Sequence, residues 1–564
     1  MNEEGYSVQS ENTVDGAMAS ETEKKTSKFK NLSKNTKIGI ISGGSCLVLV
    51  LTLGIIAMLG GFRKPVVDPI DDNYRTFYQI FVGSFSDSNG DGIGDIRGII
   101  NRMDYLNDGN INGGKDLGVQ GIWLSPIFES PTYHKYDAKD YYKIDKKFGT
   151  EEDLKELLEL CHQRNVKVIL DLVVNHTSIK HEWFLKFQEA RKNGDTENKY
   201  YDYYSCATQD EKISGCTYSA LGIGKWWYEA NFSPEMPELN FDNPDVKADM
   251  LFLAKHYLDL GVDGFRFDAV KYIYFGNTKK SVEFWEWYMG ELVAYKPDIY
   301  CVGECWSAES EIIEYYSAMN CFNFATSGPE GRVASAAKGK SLSSFLNYIE
   351  TYQDKVQEAN PNGMPMPFLS NHDMDRISGS FTEEGVMKMA ANLYLLSPGS
   401  PMIYYGEEIG IKGSRGGANT DANRRLAMLW GDGDKIKNPT GSTYSNKKQI
   451  TETVKDQLWD KDSLLRYYSR LIAIRHKYPA IARGDYNAVT CDNKNFGGFY
   501  IEYNGEVIGL FHNNSAEEIQ IDISTLSGLD ENSFSTLCDY IGMGKAKLKG
   551  NILTIGAQTS VILK

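Results

Sequence analysis

The sequence of 564 residues predicts an α/β protein built on a closed (β/α)8 TIM barrel. It also predicts an irregular subdomain inserted after the third strand, a C-terminal antiparallel β domain, and one transmembrane helix in front of the barrel. Three observations support this prediction. From about residue 76, short apolar runs alternate with amphipathic helical patterns, the number of runs approaches eight, and the helical pattern stops after about residue 483.

The first 75 residues predict a membrane anchor with its flanking segments. Residues 1–37 are polar and poor in aromatic side chains, which predicts a disordered cytoplasmic tail. Residues 38–61 contain an uncharged apolar run whose helix, about 33 Å long, can cross a bilayer core of about 30 Å. Lysines crowd its N-terminal side, so the positive-inside rule places everything after the span outside the cell. Residues 62–75 form a linker.

A cleaved signal peptide is the alternative interpretation of this segment. The apolar run is longer than the usual signal-peptide core, and a long tail precedes it. The sequence therefore favours an uncleaved single-pass protein of the cell membrane.

The barrel is predicted over residues 76–176 and 241–483. Its strand candidates are apolar throughout and are separated by helical patterns, which is typical of a parallel sheet covered on both faces. Charged residues recur at the C-terminal ends of these strands, where such a barrel keeps its active site. No GxGxxG or GxxxxGK[ST] pattern follows a strand, which disfavours a nucleotide-binding fold. The candidates read RTFYQIFVGSF, GVQGIWLSPI, VKVILDLVVNH, GVDGFRFDAV, IYCVGECW, MPMPFLSNHD and SPMIYYGEEIG.

Two regions depart from the barrel pattern. Residues 177–240 are long, aromatic and irregular, and they predict the inserted subdomain B. Trp226 and Trp227 in this segment either contact a ligand or form the core of the subdomain. Residues 484–564 alternate apolar runs with turn residues, which predicts a C-terminal β-sandwich domain.

Charge and cysteine content exclude some classes of function. The formal net charge of −16 disfavours nucleic acid as a partner. The nine cysteines form no CxxC pair or Cys/His cluster that would indicate zinc. Cys206 with Cys216, and Cys491 with Cys538, could form disulfides, but sequence alone does not give the geometry.

Five chemically active side chains follow predicted barrel strands: Asp268, Glu304, Asp373, His176 and His372. The ends of barrel strands converge on one mouth, so these side chains are expected to meet there. Buried carboxylates without partners are costly, and five such residues at strand ends are hard to explain by packing alone. The pattern therefore indicates an active site.

Arg266 lies two residues before Asp268, so both side chains project from the same face of a strand. A structural ion pair is the plain alternative to a charged active site. The convergence of the other strand ends favours the active site.

Five segments resemble the short motifs of glycoside hydrolase family 13, the α-amylase family. They are DLVVNH (residues 171–176), MPELN (236–240), GFRFDAVK (264–271), GECW (303–306) and FLSNHD (368–373). The resemblance covers about residues 75–564. It implies a retaining hydrolase that cleaves α-1,4-glucosidic bonds of starch or maltooligosaccharides through a covalent glycosyl-enzyme intermediate. The alternatives within this class are an exo-acting α-glucosidase or oligo-1,6-glucosidase, and a transglycosylase.

The resemblance also implies the roles of the site residues. Asp268 resembles the nucleophile, Glu304 the general acid and base, and Asp373 the third carboxylate that orients sugar hydroxyls. A retaining mechanism needs an ionised nucleophile, which Arg266 supports, and a general acid whose pKa is raised.

The resemblance implies that His176 and His372 donate hydrogen bonds to the sugar. It also implies that Tyr136 stacks under the sugar ring and that Lys271 reaches the leaving-group side. The expected substrate-binding residues are thus Tyr136, His176, Arg266, Lys271 and His372.

A calcium loop is predicted in DSNGDGIGD, which follows the pattern D-x-[DN]-x-[DN]-G. Its closing Glu is absent, and many family members bind calcium or sometimes magnesium in a similar loop. An Asx-rich turn that binds no metal is the alternative. The ligands would be Asp87, Asn89, Asp91, the carbonyl of Ile93, and Asp95.

Tyr272 departs from the pattern of the α-amylases proper. Those enzymes carry a histidine at this position, which takes part in a second calcium site, so that site is expected to be absent here. The departure, together with MPELN, places the chain near the intermediate α-amylases and the oligo-1,6-glucosidases.

A function of a different class is also compatible with the resemblance. Heavy subunits of some amino-acid transporters combine a cytoplasmic tail, one span and a glucosidase-like outer domain without catalysis. In this chain all three carboxylates are present, and no cysteine that could bridge to a partner lies between residues 61 and 77. Both observations favour an enzyme.

Overall fold

A computed structural model of the protein describes residues 72–110, 116–416, 421–526, 529 and 534–564. The predicted cytoplasmic tail and transmembrane helix, and most of the linker, lie outside these residues. Among the residues that the structure describes, no helix is both long and apolar enough to cross a membrane.

The described part of the chain contains 21 β-strands. They are β1 (Phe77–Ile80), β2 (Gly121–Leu124), β3 (Phe128–Glu129), β4 (Asp140–Ile144), β5 (Lys167–Leu172), β6 (Cys206–Ala207), β7 (Tyr218–Ala220), β8 (Trp227–Glu229), β9 (Gly264–Phe267), β10 (Tyr300–Gly303), β11 (Asn320–Asn323), β12 (Met366–Pro367), β13 (Met402–Tyr404), β14 (Asp485–Thr490), β15 (Phe496–Tyr503), β16 (Glu506–Asn513), β17 (Ile519–Asp522), β18 (Leu537–Gly542), β19 (Ala546–Lys549), β20 (Ile552–Ile555) and β21 (Thr559–Leu563).

Fourteen α-helices lie in the same described residues. They are α1 (Ile96–Asn101), α2 (Met103–Leu106), α3 (Glu151–Gln163), α4 (Glu182–Asn193), α5 (Pro244–Asp259), α6 (Thr278–Tyr295), α7 (Glu309–Glu314), α8 (Arg332–Ala337), α9 (Leu342–Ala359), α10 (Glu384–Leu395), α11 (Asn446–Gln449), α12 (Val454–Trp459), α13 (Leu464–Lys477) and α14 (Ala480–Arg483).

Eight parallel strands form the barrel in the order β1, β2, β5, β9, β10, β11, β12, β13. Strand β13 pairs with β1, and a parallel bridge between Phe368 and Met402 joins β12 to β13 and closes the ring. The predicted (β/α)8 barrel is therefore confirmed. Its interior is a separate buried cluster formed by Phe77, Trp123, Ile169, Tyr300, Val302, Phe322, Met364, Met366, Phe368 and Met402.

The barrel helices begin where the sequence supplies caps. Helix α3 follows Thr150, whose side chain accepts from the backbone N–H of Asp153 while the Asp153 side chain accepts from the N–H of Thr150. Helix α5 begins after Asn243, with Pro244 at its first position. Both helices bury apolar side chains at helical spacing, and α3 packs against β5.

The insertion between β5 and β9 is more regular than the sequence predicted. It contains the 12-residue helix α4 and a three-stranded antiparallel sheet in the order β6, β8, β7. The side chain of His181 caps α4, and Phe184 and Phe187 are buried on one face of the helix. A dense run of aromatic residues hid this helical spacing.

The C-terminal part of the chain forms antiparallel sheets, as predicted. A five-stranded sheet has the order β14, β15, β16, β21, β18, and a three-stranded sheet has the order β17, β20, β19. A buried cluster that includes Phe496, Phe511, Leu553 and Val561 draws residues from both sheets. The domain boundaries given by the sequence stay predictions.

The cysteines of the described residues are all free thiols. Cys206 and Cys216 therefore form no disulfide in the structure, and neither do Cys491 and Cys538.

Candidate active site

Three carboxylates meet at the C-terminal mouth of the barrel. Asp268 directly follows β9, Glu304 directly follows β10, and Asp373 lies in the loop after β12. All three line one cavity of about 620 Å³. Tyr136, His176 and Lys271 line the same cavity, whereas Arg266 and His372 are fully buried and do not line it.

Arg266 is the charged centre of this site. Its Nη1 donates to Asp268 Oδ1 at 2.6 Å and to Asp171 Oδ1 at 2.8 Å. Its Nη2 lies 2.9 Å from Glu304 Oε2, an ion-pair distance without hydrogen-bond alignment. One buried cation therefore compensates three carboxylates that would otherwise repel one another.

The two central carboxylates have unequal surroundings. Burial raises the pKa of Asp268, and the hydrogen-bonded Arg266 opposes that rise. Burial also raises the pKa of Glu304, Arg266 opposes it, and the charges of Asp268 and Asp373 add to it. Because only Asp268 receives an aligned hydrogen bond from Arg266, the ionised form of Asp268 is favoured more than that of Glu304.

Backbone strain occurs next to Asp268. Ala269 adopts φ 51° and ψ 42°, a left-handed conformation that is unfavourable for a residue with a side chain. In this conformation its backbone N–H donates to Glu304 Oε2 at 3.3 Å. The strained residue thus links the strand ends that carry Asp268 and Glu304.

Asp373 is fixed by one basic side chain on each carboxylate oxygen. Its Oδ2 lies 2.8 Å from His372 Nε2, and its Oδ1 accepts from Arg425 Nη2 at 2.8 Å. Burial raises the pKa of Asp373, but the hydrogen bond from His372 and the charge of Arg425 outweigh burial and hold that pKa well below its ordinary value. The surroundings of Asp373 therefore favour its ionised form.

Tyr136 connects Asp171 to His372 through its hydroxyl group. Its hydroxyl donates to Asp171 Oδ2 at 2.8 Å and lies 2.6 Å from His372 Nε2. Its ring stacks on the His372 imidazole, with ring centroids 5.2 Å apart and planes within 6°. Tyr136 also lines the cavity.

His176 and Lys271 both line the cavity, but Nζ of Lys271 makes a hydrogen bond within the protein and Nε2 of His176 makes none. His176 Nε2 is buried without a hydrogen-bond partner in the structure, and burial lowers the pKa of this imidazole to about 4. It therefore faces the cavity as a neutral ring that can bind a hydroxyl. Lys271 Nζ donates to the backbone oxygen of Trp306 at 2.7 Å, which ties the loop after β9 to the loop after β10.

Comparison with known proteins gives a family match that agrees with this geometry. Residues 79–484 match the family described as the α-amylase catalytic domain, which is more than half of the chain. The chain belongs to the α-amylase family. It is an α-amylase-family glycoside hydrolase, and the retaining mechanism is general in that family.

Individual members of the α-amylase family are similar over most of the chain. Alpha-amylase 3 of Dictyoglomus thermophilum is 34% identical over 494 residues, which cover 86% of this chain and 92% of the relative. Oligo-1,6-glucosidase of Bacillus cereus is 32% identical, with 78% and 90% covered. The solved structure of Eubacterium rectale Amy13B has a TM-score of 0.80 and 33% identity, with 89% and 96% covered.

Several residues of this α-amylase-family site were not singled out from the sequence. Arg425 lies in an irregular segment and reaches Asp373 only through the tertiary fold. Asp171 had a detectable signal, because it is a carboxylate inside an otherwise apolar strand; burial raises its pKa to about 7. Phe232, Tyr272 and Trp306 also line the cavity, and their side chains add an aromatic wall.

The predicted metal loop forms a network of hydrogen bonds. Asp87 Oδ1 accepts from the N–H groups of Asn89 and Gly90, and its Oδ2 accepts from Gly92. Asp91 and Asp95 also accept backbone N–H groups. Within the described ranges, no three His, Cys, Asp or Glu side chains are grouped so that they could hold a metal ion. The metal site stays a prediction.

Proposed function

We propose that this α-amylase-family enzyme cleaves α-1,4-glucosidic bonds of starch or maltooligosaccharides, with Asp268 as nucleophile and Glu304 as general acid and base. The observation that carries the proposal is Arg266, whose guanidinium nitrogens lie within 2.9 Å of both carboxylates at one cavity. Retaining glycosidases need two carboxyl groups about 5–5.5 Å apart, so their side chains must share one space.

The reaction follows from these positions. Glu304 gives its proton to the glycosidic oxygen while Asp268 attacks the anomeric carbon, which forms a glycosyl ester and releases the shortened chain. Glu304, now ionised, takes a proton from water, and that water displaces Asp268 from the sugar. Asp373 stabilises the positive charge that develops on the ring in both steps, and Arg266 keeps Asp268 a good leaving group.

The remaining residues bind and orient the sugar. Tyr136 provides a ring for stacking, and the unpartnered Nε2 of His176 binds a hydroxyl group. Lys271 lies on the side of Glu304, where the leaving group departs. His372 supports Asp373 and Tyr136 from behind the wall.

The linkage preference is tested by product analysis. Relatives of this chain carry the names alpha-amylase, oligo-1,6-glucosidase and, in Thermotoga, 4-alpha-glucanotransferase. The products from starch, pullulan and isomaltose are separated by chromatography. Maltooligosaccharides from starch with little glucose from isomaltose are expected. Rapid release of glucose from isomaltose would identify an oligo-1,6-glucosidase, and products longer than the substrate would identify a transferase.

We propose that the loop of residues 87–95 binds Ca²⁺ as a structural ion, with Mg²⁺ as a weaker alternative. A carboxylate oxygen that accepts a single N–H group, such as Asp87 Oδ2, keeps a second lone pair for a cation. Asp87 is buried, and Gly92 adopts φ +92°, a backbone conformation that a tight loop requires and that glycine permits. A bound cation would neutralise the repulsion among Asp87, Asp91 and Asp95.

Chelation is expected to destabilise the protein if this loop holds calcium. EDTA should lower the melting temperature by several degrees, and added Ca²⁺ should restore it more fully than Mg²⁺. Asp91→Asn removes a ligand charge and should make the melting temperature less sensitive to EDTA. Identical melting curves with and without chelator would show that the hydrogen bonds alone maintain the loop.

We propose that the apolar run of residues 38–61 anchors the enzyme in the cell membrane, with an extracellular catalytic domain. The length of the run and the lysines before it support this orientation. The full chain is expected to sediment with membranes, and protease added outside the cell should digest the catalytic part. Recovery of the full chain in the soluble fraction would contradict the anchor.

A further inference from the structure

Gln79 lies behind the active site and was not singled out from its sequence pattern. It is the third residue of β1 and its side chain is buried. Its Nε2 lies 2.7 Å from Nδ1 of His372, which is itself fully buried. This side-chain contact joins the first barrel strand to the loop that carries Asp373.

The contacts at both ring nitrogens of His372 require the same tautomer, with the proton on Nε2 and none on Nδ1. A side-chain amide nitrogen only donates hydrogen bonds, so Nδ1 of His372 must accept from Gln79. On the other side, Nε2 lies 2.8 Å from an Asp373 carboxylate that only accepts, so Nε2 must carry the proton. The Tyr136 hydroxyl donates to Asp171, and its oxygen is free to share the same Nε2 proton.

We propose that Gln79 is a positioning residue that holds His372 as the neutral Nε2–H tautomer, so that the ring supports Asp373 without adding a positive charge beside Glu304. The inference rests on the proposed roles of Asp373 and Glu304. A neutral ring donates one hydrogen bond to Asp373 and leaves its negative charge available to the developing oxocarbenium ion. A cationic ring would neutralise Asp373 and would draw the proton away from Glu304.

The charges around His372 come from several elements. Burial lowers the pKa of this imidazole, the carboxylate of Asp373 opposes that shift, and the nearby arginines add to it. Gln79 contributes no charge, and it occupies the one nitrogen that a second proton could reach. The charged or titratable groups near the ring are Asp373 on its own loop, Arg425, Arg266 on β9, Glu304 after β10, and Tyr136 and His134 in the loop before β4.

The tautomer can be observed in the unchanged enzyme. Nitrogen-15 NMR of the full chain in detergent, labelled at its eight histidines, distinguishes protonated from unprotonated ring nitrogens. The signals of His372 are those lost in His372→Asn. We expect an unprotonated Nδ1 and a protonated Nε2 from about pH 5 to pH 8. A protonated Nδ1 in this range would overturn the proposal, whatever the activity.

Gln79→Glu tests the consequence for catalysis. The substitution keeps the shape but replaces the donor by an acceptor, so both ring nitrogens should be protonated. We expect kcat to fall at least about tenfold, and the alkaline limb of the pH profile of kcat/KM to move to lower pH, since a cation beside Glu304 favours its ionised form. Retention of a neutral His372 and an unmoved pH profile in this variant would refute the role.

Gln120→Glu is the matched control. Gln120 is equally buried but immediately precedes β2, at the opposite end of the barrel from the cavity. Its Oε1 accepts from the backbone N–H of Thr76, an interaction that glutamate preserves. It should change stability without moving the pH profile. An equal movement of the profile in both variants would show a general effect of a buried carboxylate. Failure of the proposed function would appear instead as activity that survives the loss of Asp268.

Discussion

Asp268→Asn is expected to lower kcat on maltooligosaccharides by at least about 10⁴-fold. The amide of asparagine cannot form the glycosyl ester, so the first chemical step has no nucleophile. Folding should be preserved, because Arg266 keeps its contacts with Asp171 and Glu304 and the amide oxygen can still accept from it. Release of reducing ends measures kcat, and calorimetry with maltoheptaose measures the binding that should remain.

Asp375→Asn is the control for this experiment. Asp375 lies two residues after Asp373, but its side chain contacts Arg424 and the backbone of Arg415 and does not line the cavity. The control should keep nearly full turnover. If Asp268→Asn also kept turnover near that of the unchanged enzyme, another residue would have to be the nucleophile.

Glu304→Gln is expected to separate the two halves of the reaction. Glutamine cannot protonate a glycosidic oxygen, so kcat on glucans should fall by about 10²–10⁴-fold. A glycosyl fluoride needs no proton for fluoride to leave, so Asp268 can still be glycosylated by this substrate. Without a base to activate water, the ester should accumulate, and mass spectrometry should find the added sugar on the peptide that contains Asp268.

The position of the adduct makes this experiment decisive. Sugar attached to a different carboxylate would contradict both role assignments at once. Glu309→Gln serves as the control, because the Glu309 side chain contacts Lys355 and lies outside the cavity lining. It should neither slow the enzyme nor accumulate an adduct.

The sequence was sufficient to predict the barrel and the three carboxylates for one physical reason. Most barrel strands lie in short, largely apolar runs, and Asp268 and Glu304 each occur immediately after such a strand. Because parallel strands of a barrel end at one mouth, local position along the chain determines position in space. The family match then supports the architecture independently.

The remaining parts of the site depend on contacts between distant segments. Arg425 meets Asp373 across 52 positions of sequence, and Gln79 meets His372 across 293. No local pattern records such a pairing, because the side chains belong to separate elements that only the closed barrel brings together. Helix α4 was missed for a different reason, since its aromatic residues were interpreted as a loop.

The barrel closes through a weak pairing between its last two strands, β12 and β13. Strand β12 has only two residues, one of them Pro367, which has no N–H to donate. It is joined to β13 by the single bridge at Phe368. The barrel therefore has its fewest backbone pairs between β12 and β13, next to the loop that carries Asp373. Amide protons near this junction should exchange sooner than those of β1 or β2. Asp373 thus follows the strand with the fewest backbone pairs, while Asp268 and Glu304 follow strands that are paired along their whole length.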